Sequence, residues 1–254
     1  MTTETVDRSK QTARRANRFM YKLATRWLTV VNTFMGVLVG LPWLAPIFMR
    51  LGWEWPAKVI YTIYMGLCHQ MPQRSYFIFG RQPMYSLEEV ALVWQNVANP
   101  LILRQFVGTA DMGWKVAWSD RMVSMYGAIF LFGLVYGWVR PWLKRPLPLW
   151  GFILFCVPMG IDGLTHMISD LYGLEAGFRY HNTWLADLTN NAFQPLFYYG
   201  DAFGSFNWWM RLVTGLLFGL GLVWFAFPHL QEGFNQTKYE IEAKFAKAGV
   251  PLAE

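Results

Sequence analysis

Apolar residues fall in long unbroken stretches separated by polar connections, and four stretches meet or approach the roughly 20 residues that a helix needs to cross a hydrocarbon core. They lie at about 27–49 (WLTVVNTFMGVLVGLPWLAPIFM), 119–139, 147–168 and 207–228. Two shorter pieces sit between the first and second, PAKVIYTIYMGLCHQMP with an apolar run of about 12 residues and the half-apolar LEEVALVWQNVANPLILRQF. Twelve residues make only about 18 Å of helix, against a core of roughly 30 Å. The 57–71 piece is therefore expected as a short tilted or re-entrant element. Pro72 ends it, because proline lacks an amide proton and disfavours helix in the residue before it. The 88–106 piece either dips in with it or crosses as its pair. The pattern predicts an all-α fold, a polytopic transmembrane helical bundle of four long spans plus a short or re-entrant membrane element, with four to six crossings.

Composition agrees with a single membrane domain: 54% of residues are hydrophobic and only 15% charged, with 14 Trp, 20 Phe and 12 Tyr. That is too apolar for a soluble domain of 254 residues. The first apolar run is longer than a signal-peptide core and no small-x-small site follows it, so an uncleaved signal-anchor helix is expected. Many Trp residues lie at segment ends (Trp27, Trp43, Trp53, Trp55, Trp138, Trp142, Trp150, Trp208, Trp209, Trp224), as interfacial belts require. Gly133-x-x-x-Gly137 and Gly215-x-x-x-Gly219 with Gly221 read as small-residue stripes for close helix packing.

Charge then orients the chain. The first 26 residues hold seven basic and two acidic residues, and the connection RPWLKRP holds three basic and none acidic. Both belong on the cytoplasmic side. The 170–206 connection, with Asp170, Glu175, Asp187 and Asp201 against Arg179, belongs outside. The expected organisation is a basic cytoplasmic tail (1–26), disordered or lying on lipid head groups over its first 20 residues, a membrane domain (27–228) and a cytoplasmic tail (229–254) carrying a short surface helix. Both termini are then cytoplasmic in a multi-pass protein of the cell inner membrane. The net charge of +6 sits mostly in the N-terminal tail, so it reflects topology and lipid contact, with no nucleic-acid partner. Subunits of a membrane complex or further copies of the chain are the expected protein partners.

Ionisable residues inside apolar stretches are functional-site candidates by default. Asp162 and Arg211 are such residues, and the pair Asp120–Arg121 opens the second long span. Asp162 and His166 are four apart and share a helix face with Thr165 and Ser169. They can act as an acid/base pair or supply metal ligands, or Asp162 can simply pair with a buried arginine, Arg121 or Arg211, within about 4 Å. Cys68 and His69 offer a soft and a borderline ligand beside a helix end; with Asp162 and His166 they form a candidate zinc or copper set, although the sequence requires no cofactor. The alternative is a buried small residue and a helix-end hydrogen bond. Arg74 and Ser75 follow the helix break. With Arg121, Arg211 and Thr214 they suggest a clamp for a phosphate or carboxylate, the alternative being that each arginine pairs with an aspartate or snorkels.

The run Cys68-His69-Gln70, Pro72, Arg74, Ser75 resembles the signature of a bacterial and archaeal family of predicted membrane proteins, domain-of-unknown-function family 2085. Arg121 with Tyr126 and Gly127, Asp162-Gly163-Leu164-Thr165-His166 and Arg211-Leu212-Val213-Thr214-Gly215 follow in the family's order. The resemblance spans about 57–220. Ser119 stands where the family usually has cysteine, His166 where it has glutamine, and 82–115 reads as an insertion. The resemblance implies site positions and no activity.

Three functions of different class follow: a membrane-embedded enzyme or carrier for a small anionic or lipid-linked molecule, a metal-binding or redox protein, and a structural subunit whose charges only lock helices. If a site exists, Cys68, His69, Arg74, Asp162, His166 and Arg211 are expected on one pocket, with Tyr64, Tyr126 and Trp208 as its aromatic wall.

Overall fold

The computed structural model describes residues 3–95 and 99–252, with side chains from residue 10 onward. The element order is α1 (Thr3–Arg50), α2 (Glu54–Met65), a 3-10 turn (Pro72–Arg74), β1 (Ser75–Ile78), α3 (Leu87–Val93), α4 (Pro100–Leu103), β2 (Gly108–Thr109), β3 (Gly113–Ser119), α5 (Asp120–Val139), α6 (Leu149–Leu171), α7 (Phe178–His181), α8 (Thr183–Leu188), α9 (Pro195–Tyr198) and α10 (Phe206–Lys247). Four helices, α1, α5, α6 and α10, are long and apolar enough to cross a membrane. The chain is an all-α helical bundle.

Helix α10 is the hub, packing on α5, α6 and α1. Its glycines explain how. A Cβ on Gly219 would lie 2.5 Å from the Ala128 side chain of α5, and one on Gly221 would lie 2.5 Å from Phe155 of α6. Small residues at these positions let three backbones approach, as packing between membrane helices requires. Helices α5 and α6 both lean on α10 and hardly touch each other. A cleft opens between them.

At one end of the bundle the short elements form a cap. Helix α2 has 12 residues, too short to span, and packs with β3 on the end of α1 through Ala45, Tyr61, Tyr64, Val116 and Trp118. A three-stranded antiparallel sheet of order β1-β3-β2 lies here. The sequence pattern did not predict it, because Lys115 interrupts GWKVAWS although it is buried with its neighbours. Among the described residues the 88–106 piece forms no helix long enough to span, only the short α3 and α4, and residues 96–98 of it lie outside the described residues.

The opposite end departs from expectation. Helix α1 runs unbroken from Thr3, and α10 continues through Pro228 to Lys247, so helix boundaries fall at neither 26 nor 228. At 42 residues α10 is about 63 Å long, twice a bilayer core, and its last half pairs with the start of α1. Tyr21 donates to Glu242 (3.0 Å), Trp27 to Gln231 (3.2 Å) and Arg18 to the Pro251 carbonyl (3.1 Å). The expected disordered tail is thus helical from Thr3 and packs on the α10 extension from Arg18 onward, and the expected separate surface helix is part of α10; residues 1–2 and 253–254 lie outside the described residues. Trp27, expected in a belt, is a core residue 2% exposed against Tyr136 and Phe227. Trp138, Trp142 and Trp150 are exposed.

Candidate functional site

The polar residues collect at the capped end, where α5 and α10 begin and α6 finishes. Strand β3 runs straight into α5 and so fixes Asp120 and Arg121 at the helix start. Arg211 lies on the second turn of α10, and Asp162, His166 and Ser169 share the buried face of α6. The 3-10 turn after Pro72 delivers Arg74. The connection between α6 and α10 folds back to supply Arg179 and Asp201.

These groups form two ion-pair networks. In the first, Arg211 Nε donates to Asp120 (2.7 Å) and Nη1 to Asp201 (2.7 Å), Arg74 Nε donates to the other Asp201 oxygen (2.7 Å), and the Arg74 Nη atoms grip Asp170 at 2.7 and 2.8 Å. In the second, Asp162 lies between Arg121 Nη2 at 2.9 Å and Arg179 Nη2 at 2.6 Å. Burial alone would raise the Asp201 pKa, but Arg74 and Arg211 outweigh it and hold the carboxyl below the usual range. Burial would likewise lower Arg74, yet Asp201 and Asp170 raise it above its ordinary value. The first network holds three carboxylates and two guanidiniums, the second one carboxylate and two guanidiniums. They carry opposite single charges.

A cavity of about 660 Å³ lies beside both networks and runs into the cleft between α5 and α6. Its polar floor has Arg74, Arg121, His166, Asp170 and Arg211; its apolar wall has Met122, Met159, Met167, Leu67 and Leu171. Met167, Leu67 and Leu171 are exposed, so the apolar wall reaches the surface of the molecule.

Two floor donors have no partner among the described residues, Arg121 Nη1 and His166 Nδ1. Arg179 Nη2 sits 3.2 Å from His166 Nε2. A guanidinium only donates, so Nε2 accepts and the ring proton belongs on Nδ1. His166 is 4% exposed. A buried donor without an acceptor costs about 1–3 kcal/mol.

Of the residues expected together, Cys68, His69, Arg74, His166 and Arg211 line this cavity, while Asp162 stands behind it, held by its two arginines. The free three-arginine clamp is corrected: Arg74, Arg121 and Arg211 are each paired with aspartate, and only Arg121 keeps an unpartnered nitrogen. Ser75 and Thr214 are fully buried and turn to the Met71 and Met210 carbonyls, away from the cavity. The aromatic wall is corrected too. Tyr64 donates to the Leu38 carbonyl, Tyr126 stacks on Trp118 and Trp208 donates to Tyr76, leaving methionine and leucine to face the space. Cys68, His69, Asp162 and His166 do not assemble a metal set: among the described residues no group of three or more His, Cys, Asp or Glu is placed to hold an ion. Cys68 instead donates to Ser119 Oγ at 3.4 Å.

Sequence reasoning missed Asp170, Arg179 and Asp201, which it counted as loop charges, and Lys115. Lys115 is fully buried, donating to the Gln70 (2.8 Å) and Arg104 (2.7 Å) carbonyls. Burial pushes its pKa down to about 7. It holds Gln70 in a left-handed conformation (φ 51°) at the cavity edge, a geometry costing about 1–3 kcal/mol.

Residues 111–225 match the family described as "Predicted membrane protein (DUF2085)". The resemblance read from the sequence is therefore shown over that stretch, which contains Arg121, Asp162, His166 and Arg211 and begins after Cys68. The chain is also 26% identical over 149 residues to an uncharacterised protein of Methanocaldococcus jannaschii, covering 56% of this chain and 74% of that one. No solved structure matches. The protein is a membrane protein.

Proposed function

We propose that the cleft between α5 and α6 binds a small anionic or lipid-linked molecule, its acidic head on Arg121 and His166 and its apolar part along the methionine wall. One observation carries this reading: two residues that line one cavity, Arg121 and His166, each keep a buried N–H donor, Nη1 and Nδ1, with no acceptor among the described residues. An oxyanion supplies what they lack, and hydrogen bonds to charged groups contribute about 1.5–3 kcal/mol each. The networks favour the same place. The positive one contains Arg121, while the carboxylates of the negative one are already gripped by Arg74 and Arg211. An apolar wall that reaches the surface suits a ligand that arrives from the lipid phase. Basic residues at the termini end support an inner-membrane protein with cytoplasmic termini and the cleft toward the outer leaflet.

The closed ion pairs also favour a second reading, a structural subunit whose charges lock its helices. One experiment separates the two. In detergent, decyl phosphate should raise the melting temperature of the purified protein more than decanol does, and Arg121→Gln or His166→Ala should weaken the phosphate's effect about tenfold, the size of one hydrogen bond. Equal shifts from decanol and decyl phosphate would leave the structural reading in place.

A further inference from the structure

Behind the Arg74–Asp201 pair lies a second cavity of about 360 Å³, inside the cap and apart from the cleft. Its lining has the opposite chemistry. Among the described residues it includes Glu88, Glu89, Gln73, Tyr180, Tyr199 and Phe203 and no Lys, Arg or His. Asp201 also reaches its edge, but both its carboxylate oxygens are occupied by Arg74 and Arg211. Glu89 is committed to the α3 capping box, accepting from Ser86 N–H (2.7 Å) and from Gln82 Nε2 (2.6 Å). Glu88 accepts from the hydroxyls of Tyr180 and Tyr199. None of these partners carries a positive charge. Burial would raise the Glu88 pKa, but the hydrogen bond from Tyr180 and those from the backbone, Ser86 and Tyr199 outweigh it and keep the group below its ordinary value; Glu88 stays ionised at neutral pH.

The second observation is Gln73. It is 2% exposed, lines the same cavity, makes no side-chain hydrogen bond among the described residues, and its Oε1 is buried. A buried carbonyl oxygen without a donor costs about 1–3 kcal/mol. The cavity is thus lined by an uncompensated carboxylate, a glutamine whose amide oxygen has no partner among the described residues and three aromatic rings, two of them edge to face at 4.6 Å. Carboxylate with ring faces is the chemistry that holds organic cations. The free amide oxygen asks in addition for an N–H. No group of three or more His, Cys, Asp or Glu in the described residues is placed for a metal ion, and the volume suits a small molecule rather than a bare ion.

We propose that this cavity binds a small primary ammonium compound, its N–H groups shared between Glu88 and the Gln73 amide oxygen and its carbon body against Tyr180, Tyr199 and Phe203. The site is lined by different residues from the anion cleft.

The test uses the purified full-length protein, titrated calorimetrically with butylammonium, tetramethylammonium and 1-butanol. Butylammonium should bind, tetramethylammonium at least tenfold more weakly because it has no N–H, and 1-butanol not measurably. Glu88→Gln should weaken butylammonium about tenfold or more. Gln73→Leu should do so too, and this variant removes an unsatisfied acceptor at nearly constant volume, so it folds at least as well as the native chain. Arg121→Gln, in the anion cleft, should leave butylammonium binding unchanged. Butanol or tetramethylammonium binding as tightly as butylammonium, or a folded Gln73→Leu protein with full affinity, would overturn the proposal whatever the fate of the anion site.

Discussion

Single residues decide whether the polar end of this bundle is a site or only a lock, and two of them give direct tests. Lys115 is held by carbonyls alone, with its pKa pushed down to about 7 by burial. An unfolded lysine titrates near 10.4. Between those values the unfolded chain binds a proton that the native chain does not, so native stability should rise with pH from about 7 to 10 and show no dependence on this group below. Lys115→Met removes the titration. The stability of the native chain relative to this variant should therefore grow across that window when measured by thermal unfolding, and a constant difference would show that Lys115 stays charged. Ser119 gives the second test. It stands where the resembled family usually has cysteine, and its Oγ lies 3.4 Å from Cys68 Sγ. Ser119→Cys should form a disulfide with Cys68 on mild oxidation, losing both thiols to maleimide, because two side chains in contact meet the spacing a disulfide needs; persistent free thiols would place the loop elsewhere. Asp162, Arg121, His166 and Arg211 were legible in the sequence because each stands in or beside an apolar run, where a charge is conspicuous. Asp170, Arg179 and Asp201 were not, since in a polar connection an aspartate that folds inward looks like one that is solvated.

At the scale of elements, the cleft exists because α10 carries the glycines and α5 and α6 do not pack on each other. The Arg121–Asp162 pair bridges the gap between them at 2.9 Å. Asp162 serves two arginines, so Asp162→Ala strands both, at a cost on the order of 3–5 kcal/mol for breaking a buried pair. Combining Asp162→Ala with Arg121→Leu should restore part of the folded protein in the membrane fraction, and adding Arg179→Leu should restore more. Equal losses in all three variants would argue that the charges are not coupled. Helices α5 and α6 were readable from hydropathy to within a few residues, at Asp120–Val139 and Leu149–Leu171. The sheet was not: β3 is buried on both faces around a lysine, so neither alternation nor an apolar run marks it. The ends of α1 and α10 were misread for a related reason. Two largely polar helix ends that pair with each other carry their apolar contacts, such as Trp27 on Phe234, too sparsely to stand out from a tail.

For the whole molecule, four helices are long and apolar enough to cross a membrane; the orientation we propose puts both termini on the cytoplasmic side, where the basic residues near them belong, and the cap on the other. Leu188, 76% exposed on the cap, and Tyr239, 72% exposed on the α10 extension, probe the two faces. A membrane-impermeant maleimide should label Leu188→Cys in intact cells and Tyr239→Cys only after permeabilisation; the reverse pattern would invert the protein. With that orientation the cleft opens toward the outer half of the bilayer, where a lipid-linked anion can enter sideways without crossing the hydrophobic core. The most direct measurement is an experimental structure of the purified protein with decyl phosphate bound. The phosphate oxygens should lie within hydrogen-bond reach, about 2.7–3.2 Å, of Arg121 Nη1 and His166 Nδ1, with the alkyl chain between α5 and α6 along Met122, Met159 and Met167. A phosphate resting on the exposed basic residues at the termini end, with the cleft left to detergent or lipid tails alone, would contradict the account.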